Sequence, residues 1–396
     1  MKKILFISWD GAETNYMEGL FLPIFHAIQA KSDYQFHVIQ FSWSDPYKIS
    51  KIKETASAYQ IFYQHLPVYK KPTNLIGSVY SLFKGRKFVE SYIINSAIDI
   101  VMPRSVMPAF LVNKLRISGF KLVFDADGLP LEERIDFGGL KMNSRHYRFL
   151  KKQEDKILSH SDLVITRSKK SINIHAETIG GKSLEKFSRV INGRDVDFFK
   201  PNKEARKKIR EELGVSSKDK VFVYCGSLGP QYCVEEMIEI FRQYYDKTKS
   251  GYFLVLTPNV NFIQERIPQE LKRIIIAKQI NYQDVPAYLS AADIAFSLRI
   301  PRYSMRGVFP IKLAEYLLMG LPTITSKGIG DTEDLLKDAP GCFIFNHFSR
   351  KSMILVADFV EKSETFEKKK IRDFAEKNFS IEKSAKQYIK TLDKLV

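Results

Sequence analysis

The segment Val190-Ile191-Asn192-Gly193-Arg194-Asp195-Val196-Asp197-Phe198-Phe199-Lys200-Pro201 interrupts an alternation of strand and helix that otherwise runs the length of the chain. A turn-prone Asn-Gly and a Pro bracket it, and a charged helix is predicted beyond, over Lys203–Leu213. Upstream, Lys3–Ser8 is an apolar run that closes in a polar loop, followed by Met17, Leu20, Phe21, Ile24 and Ile28 at helical spacing. Phe36–Phe41, Ile98–Met102, Lys121–Phe124 and Ser161–Thr166 read as further buried strands. Downstream the rhythm restarts. Val221–Cys225 is a strand leading into Gly226-Ser227-Leu228-Gly229-Pro230; a helix carries Val234, Met237, Ile238 and Phe241; Tyr252–Leu256, Ile294–Leu298 and Pro322–Thr325 follow. Such a pattern predicts an α/β chain of two Rossmann-like, doubly wound parallel sheets, with ligands bound outside the carboxyl ends of the strands in a cleft between domains. The expected limits are residues 1–190, a linker at 191–202, a second domain at 203–378, and a helix at 379–396 that either braces the first domain or simply ends the chain.

The bulk numbers agree with two domains, since 396 residues exceed one compact core. Hydrophobic residues at 44% and charged residues at 27% exclude wholesale disorder. No run reaches the ~18–20 apolar residues of a membrane span, and the opening run is shorter than a signal-peptide core, so a cytoplasmic protein is expected. The three cysteines, Cys225, Cys233 and Cys342, read as reduced core thiols without metal-ligand spacing. The seven histidines show no paired spacing, and neither a Gly-x-Ser-x-Gly nor a Walker motif is present. The expectation is therefore no metal and no cofactor. Sixty-two Lys+Arg against 45 Asp+Glu leave a net charge of +17, which attracts polyanions: nucleic acid, anionic lipid or phosphorylated small molecules.

Ala295–Pro322 is the segment richest in chemistry. After a strand ending at Leu298, an irregular loop carries Arg299, Arg302, Ser304, Arg306 and Gly307, and a helix starts near Pro310. Lys312 and Glu315 share one face of it. A glycine-containing loop at a helix start suits a pyrophosphate, nearby Arg and Lys add charge-assisted contacts, and a carboxylate one turn in can accept both hydroxyls of a ribose. The competing reading is a surface loop followed by an exposed Lys312–Glu315 ion pair.

Glu315-Tyr316 with Gly320-Leu321-Pro322 resembles the donor signature of the family 4 retaining glycosyltransferases, whose fold is GT-B. Asn192-Gly193 through Pro201, Gly226-Ser227-Leu228-Gly229, Ser161–Ser168 and Gly328-Ile329-Gly330-Asp331 are similar, in order, to four further segments of that family. The resemblance implies that Glu315 holds the nucleotide ribose. Gly226, Ser227, Leu228, Gly229, Arg306, Gly307 and Leu313 would complete the donor site, and Arg299 and Lys312 would neutralise the diphosphate. The chain departs from the signature at its first Glu, which falls at Gly307, and at the usual basic pair, which falls at Ser227 and about Tyr232.

In the first domain, Asp125 and Glu133 flank the loop after Lys121–Phe124 and are the catalytic candidates, with helix capping as the alternative. Asp10, Glu13 and Asn15 after the first strand, and Arg104 after Ile98–Met102, are the candidate acceptor contacts. Asp125-x-Asp127 and Asp195-x-Asp197 mimic a metal-binding pattern whose meaning belongs to a different architecture. Basic residues interleaved with aromatic ones, from Lys70-Lys71 through Lys84-Gly85-Arg86-Lys87 to Arg145–Lys152, fit a face lying on an anionic bilayer. No nucleic-acid-binding module accompanies them. The reading is a retaining glycosyltransferase moving a sugar from a nucleotide sugar, preferably a uridine diphosphate sugar, to a glycan or lipid-linked glycan in surface-polysaccharide synthesis. It would work in the cytoplasm or at the inner membrane face. The alternatives are a nucleic-acid base glucosyltransferase and a non-catalytic nucleotide-binding relative.

Overall fold

Thirteen parallel strands form two sheets in the computed structural model, which describes residues 1–12, 14–71, 73–181, 183–347 and 349–395. The chain divides into two units. The first comprises Met1–Gly193, Arg306–Val308 and Ile381–Val396, and the second Arg194–Met305 and Phe309–Ser380.

In the first unit, β1 (Lys2–Asp10), β2 (Tyr34–Ser42), β3 (Phe62–Pro67), β4 (Ile100–Pro103), β5 (Lys121–Asp127), β6 (Leu163–Thr166) and β7 (Phe187–Arg189) lie in the order β3-β2-β1-β4-β5-β6-β7. The central strands are buried on both faces, so their sequences are continuous apolar runs rather than alternations: Ile4, Leu5, Phe6 and Ile7 of β1 are all inaccessible. The strand predicted to end at Phe124 continues to Asp127, through a register irregularity between Asp125 and Asp127 and a positive φ of 63° at Asp127.

In the second unit, β8 (Val221–Cys225), β9 (Tyr252–Leu256), β10 (Ile275–Lys278), β11 (Ile294–Ser297), β12 (Thr323–Ser326) and β13 (Cys342–Phe345) lie in the order β10-β9-β8-β11-β12-β13. Both sheets reverse their winding once, between β1 and β4 and between β8 and β11. In open α/β sheets the loops leaving the strands diverge at such a point and leave a crevice for a ligand.

The terminal helix Ile381–Leu392 packs on the helix Leu22–Gln29 of the first unit. Ser384 Oγ donates to the Ile191 carbonyl (2.6 Å), Gln387 Oε1 accepts from the Ile191 amide (3.0 Å), and Tyr388 is inaccessible. The helix before it, Lys368–Phe379, lies in the second unit, so the change of unit falls at Ser380–Ile381. Among the described residues no helix is long and apolar enough to cross a membrane.

Candidate active site

Arg299 and Lys312 of the second unit converge where the chain leaves β8 and β11. Gly226 leaves β8 with φ +135°, a conformation that L side chains avoid. A Cβ there would stand 2.2 Å from Lys312 Cε and 2.7 Å from its ammonium nitrogen, so the missing side chain is what admits Lys312. Lys312 enters from the first turn of the helix Ile311–Leu318. Its Nζ is 4.5 Å from the Tyr232 ring centre and 5.3 Å from that of Tyr224, and lies 3.4 Å from the Tyr232 hydroxyl. The Arg299 guanidinium, leaving β11, is 5.1 Å from the same Tyr232 ring. Two cations therefore share one aromatic side chain, each contact worth about 0.5–2 kcal/mol. Repulsion between them makes a dianion a favourable neighbour.

Tyr316 sets the floor of this crevice. Its hydroxyl accepts from the Cys225 amide (2.8 Å) and donates to the Cys225 carbonyl (3.3 Å), which fixes the end of β8. The loop that follows is held internally: Gly226 N–H donates to the Leu256 carbonyl (2.8 Å), Leu228 N–H to Asn259 Oδ1 (2.9 Å), and the Tyr224 hydroxyl to the Ser227 carbonyl (2.6 Å). The Gly229 carbonyl accepts from the Tyr232 amide (3.1 Å). The expected phosphate cradle thus has its Gly226 and Leu228 amides already engaged, because the loop needs them to hold its own turn. Leu313 is also turned inward, with an inaccessible side chain and an amide bonded to the Pro310 carbonyl (3.1 Å).

Glu315 does not pair with Lys312. Its Oε1 lies 2.9 Å from Arg194 Nη2, and its side chain is 12% exposed. Burial raises the carboxyl above its ordinary range, and Arg194 and then Lys312 offset only part of that. Arg194 is seated in turn by the Tyr282 hydroxyl and by the Phe199 ring at 5.0 Å, with its amide donating to the Phe379 carbonyl (2.8 Å). Nothing about Arg194 as a residue type marked it beforehand. The only signal was its place immediately after Asn192-Gly193. Asp195, next to it, accepts from the amides of Asp197 (2.8 Å) and Phe198 (3.0 Å), which accounts for the Asp-x-Asp spacing as a turn.

The first unit holds a second charged network, and here several expectations are corrected. Asp125 is inaccessible: Arg167 Nη2 reaches both carboxylate oxygens (2.7 and 2.6 Å) and Arg104 Nη1 approaches at 3.3 Å. Both of its carboxylate oxygens are engaged by these arginines. Asp127 is the acid with access, 37% exposed and 2.7 Å from Arg104 Nη2. Burial works to raise it, but Arg104 and Arg167 outweigh that and hold it below the usual carboxylate range. Arg104 itself is buried, over the Phe21 ring at 4.5 Å. Arg167, which the sequence did not single out, also donates to the Val190 carbonyl (3.1 Å) and to the Tyr388 hydroxyl (3.3 Å). Asp10, expected at an acceptor, is buried and accepts from Ser8 Oγ (2.7 Å) and Gln40 Nε2 (2.6 Å). Asn15 is exposed and accepts from Lys48 Nζ (3.0 Å). Glu13 lies outside the described residues. Glu133 is half-buried in the first turn of the helix Pro130–Asp136. Arg306 and Gly307 belong to the first unit, where Ser168 Oγ donates to the Arg306 carbonyl (2.6 Å).

The cysteines and histidines are less scattered than their spacing suggested. Ligand atoms of Cys233, Glu236 and His347 lie within 4.8 Å of one another.

Residues 205–386 match the family model described as Glycosyl transferases group 1. No curated protein matches the chain. Among solved structures, Anabaena Alr3699/HepE in complex with UDP is similar at 16% identity and TM-score 0.70, covering 100% of both chains. Sucrose-phosphate synthase from Thermosynechococcus elongatus is similar at 14% identity and TM-score 0.74, covering 100% of this chain and 99% of the other. The apo form of the lipopolysaccharide outer core galactosyltransferase WaaB is similar at 15% identity and TM-score 0.64, again over 100% of both. The two parallel sheets with these likenesses establish a GT-B fold, and with the matched domain the chain is an enzyme, a glycosyltransferase.

Proposed function

We propose that the enzyme transfers a sugar, with retention of anomeric configuration, from a uridine diphosphate sugar to a glycan or lipid-linked glycan acceptor in surface-polysaccharide assembly. The observation that carries this is the convergence of Arg299 and Lys312 on Tyr232 beside the positive-φ Gly226, with Glu315 on the same helix as Lys312. Cations at a switch point suit a diphosphate, and a carboxylate one turn further along suits a ribose diol. Two solved neighbours support the donor and acceptor classes: Anabaena HepE, whose structures contain UDP and UDP-glucose, and WaaB, a lipopolysaccharide galactosyltransferase.

In the reaction, the bond between the sugar's anomeric carbon and the diphosphate oxygen breaks. The acceptor oxygen bonds to that carbon on the same face, and its proton passes to the departing diphosphate. Lys312 and Arg299 stabilise the negative charge that grows on the leaving group.

The exposed side of the helix Asn74–Asn95 supports peripheral contact with an anionic bilayer at the inner membrane face. Ile76, Val79, Tyr80, Phe83 and Ile94 are each at least half exposed there, with Lys84 and Lys87 beside them. Gly85, on the buried side, admits the Phe41 ring, which would stand 2.5 Å from a Cβ.

The test is turnover of UDP-sugars against lipid-linked oligosaccharide acceptors, with the anomeric configuration of the product read by NMR. A retained product abolished in Lys312→Ala supports the proposal. Inversion, or nucleotide binding with neither transfer nor donor hydrolysis under any acceptor, rejects it, the second outcome marking a non-catalytic relative.

A further inference from the structure

Three side chains that the donor site does not use meet at the carboxyl ends of β12 and β13. Cys233 is buried and immediately precedes the helix Val234–Thr248, Glu236 lies in that helix's first turn, and His347 follows β13. His347 Nδ1 is 3.6 Å from Glu236 Oε1 and 4.0 Å from Cys233 Sγ. The other ring nitrogen, Nε2, is 2.8 Å from Ser326 Oγ, which also accepts the Arg299 amide (2.8 Å). We infer that Cys233, Glu236 and His347 form a binding site for a zinc-class divalent cation.

The donor set selects the ion. One thiolate, one imidazole and one carboxylate suit zinc, whereas magnesium and calcium take oxygen alone. Tetrahedral bonds of about 2.0–2.3 Å place neighbouring ligand atoms roughly 3.5 Å apart, so closure onto an ion draws together atoms that stand 3.6 Å, 4.0 Å and at most 4.8 Å apart. Ser326 is the outer partner such a histidine requires. With an ion on Nδ1, Ser326 Oγ would accept from Nε2–H; Cys233 Sγ lies 4.0 Å from Nδ1 and 3.9 Å from Nε2, so the imidazole would turn to bring Nδ1 onto the ion. The Glu236 side chain is 40% exposed, which gives the ion a way in and places a water as fourth ligand on that side.

The ion's role would be to hold these elements together. It would tie Cys233, the residue after Tyr232, to His347, and through Ser326 to the backbone of Arg299. The cation would brace the support of the diphosphate-binding side chains without entering the sugar transfer. The inference does not depend on the donor assignment.

Full-length protein stripped by chelator dialysis should bind one equivalent of zinc, measured by competition with a chromophoric chelator. Cobalt in its place should give the strong visible bands of tetrahedral coordination and a thiolate-to-cobalt band in the near ultraviolet. Cys233→Ser should abolish that band and Glu236→Gln should weaken zinc. Each should lose more affinity than the roughly tenfold expected of Ser326→Ala. Zinc should raise the melting temperature of the native protein and not of Cys233→Ser. Glu236→Gln, altering a side chain that reaches solvent, keeps the test open should Cys233→Ser fail to fold. Absence of stoichiometric binding, equal affinity in all variants, or octahedral cobalt spectra would overturn the site and leave a metal-free Ser326–His347–Glu236 hydrogen-bonded relay.

Discussion

In the proposed function Lys312, Arg299 and Glu315 divide the donor's work by charge, and the division is measurable. Removing either cation should weaken UDP roughly 10- to 100-fold, the usual worth of a charge-assisted contact, while leaving uridine almost unaffected. Glu315→Ala should weaken uridine and UDP alike. Calorimetry with both ligands decides it; equal losses of uridine and UDP in Lys312→Ala would contradict the roles. The raised Glu315 carboxyl adds a pH signature, because only the ionised form accepts from both ribose hydroxyls. Uridine affinity should fall on acidification starting above the ordinary glutamate value of about 4.3, and should be flat in Glu315→Gln. The placement of these three residues on a loop and a helix start was legible in the sequence, because a loop, a helix start and an i,i+3 spacing are local facts. The partners of Asp125 were not legible for the opposite reason: strand periodicity locates it, but only the fold reveals that Arg167 and Arg104 bind its carboxylate.

At the level of elements, the central strands announce themselves and the edges do not. β3, β7, β10 and β13 are the edge strands and each is partly exposed; all four escaped the sequence reading, even β13, whose residues Cys342–Phe345 are all apolar. The loop after β8 is where one backbone angle controls a side chain on another element. Gly226→Ala must strain a φ of +135° and displace the Lys312 methylenes. It should cost about 1–3 kcal/mol of stability and weaken UDP as Lys312→Ala does. Urea unfolding and UDP titration on the same variant test both halves; unchanged UDP affinity would detach the loop from the ammonium. Tyr316→Phe should act more mildly, through loss of the two contacts to Cys225.

For the molecule as a whole, two predictions concern solution conditions. His175 is inaccessible, with Nε2 3.0 Å from the Gly128 carbonyl, and burial lowers its pKa to about 4; His37 is lowered to about 4 by burial as well. Both stay neutral in the folded state while the unfolded chain takes up protons near pH 6.5. Stability is therefore complete above that value and declines as pH falls toward about 4, each histidine contributing up to ~1.4 kcal/mol per pH unit. Urea unfolding between these limits should show it, with a shallower slope in His175→Gln. Binding to anionic vesicles should weaken with salt and with Phe83→Asp, whose side chain is 63% exposed. Undiminished binding at high salt would point away from the basic face.

The return of Ile381–Leu392 to the first unit sets an order of events during synthesis. Domains ordinarily fold as they emerge from the ribosome, earliest first. Here Arg167 lacks Tyr388 and Ile191 lacks Ser384 and Gln387 until residues 384–388, beyond the whole second unit, have been made. The earliest-made half is thus the last to be finished, and a nascent chain stalled short of residue 381 would carry an apolar seam for chaperones to cover.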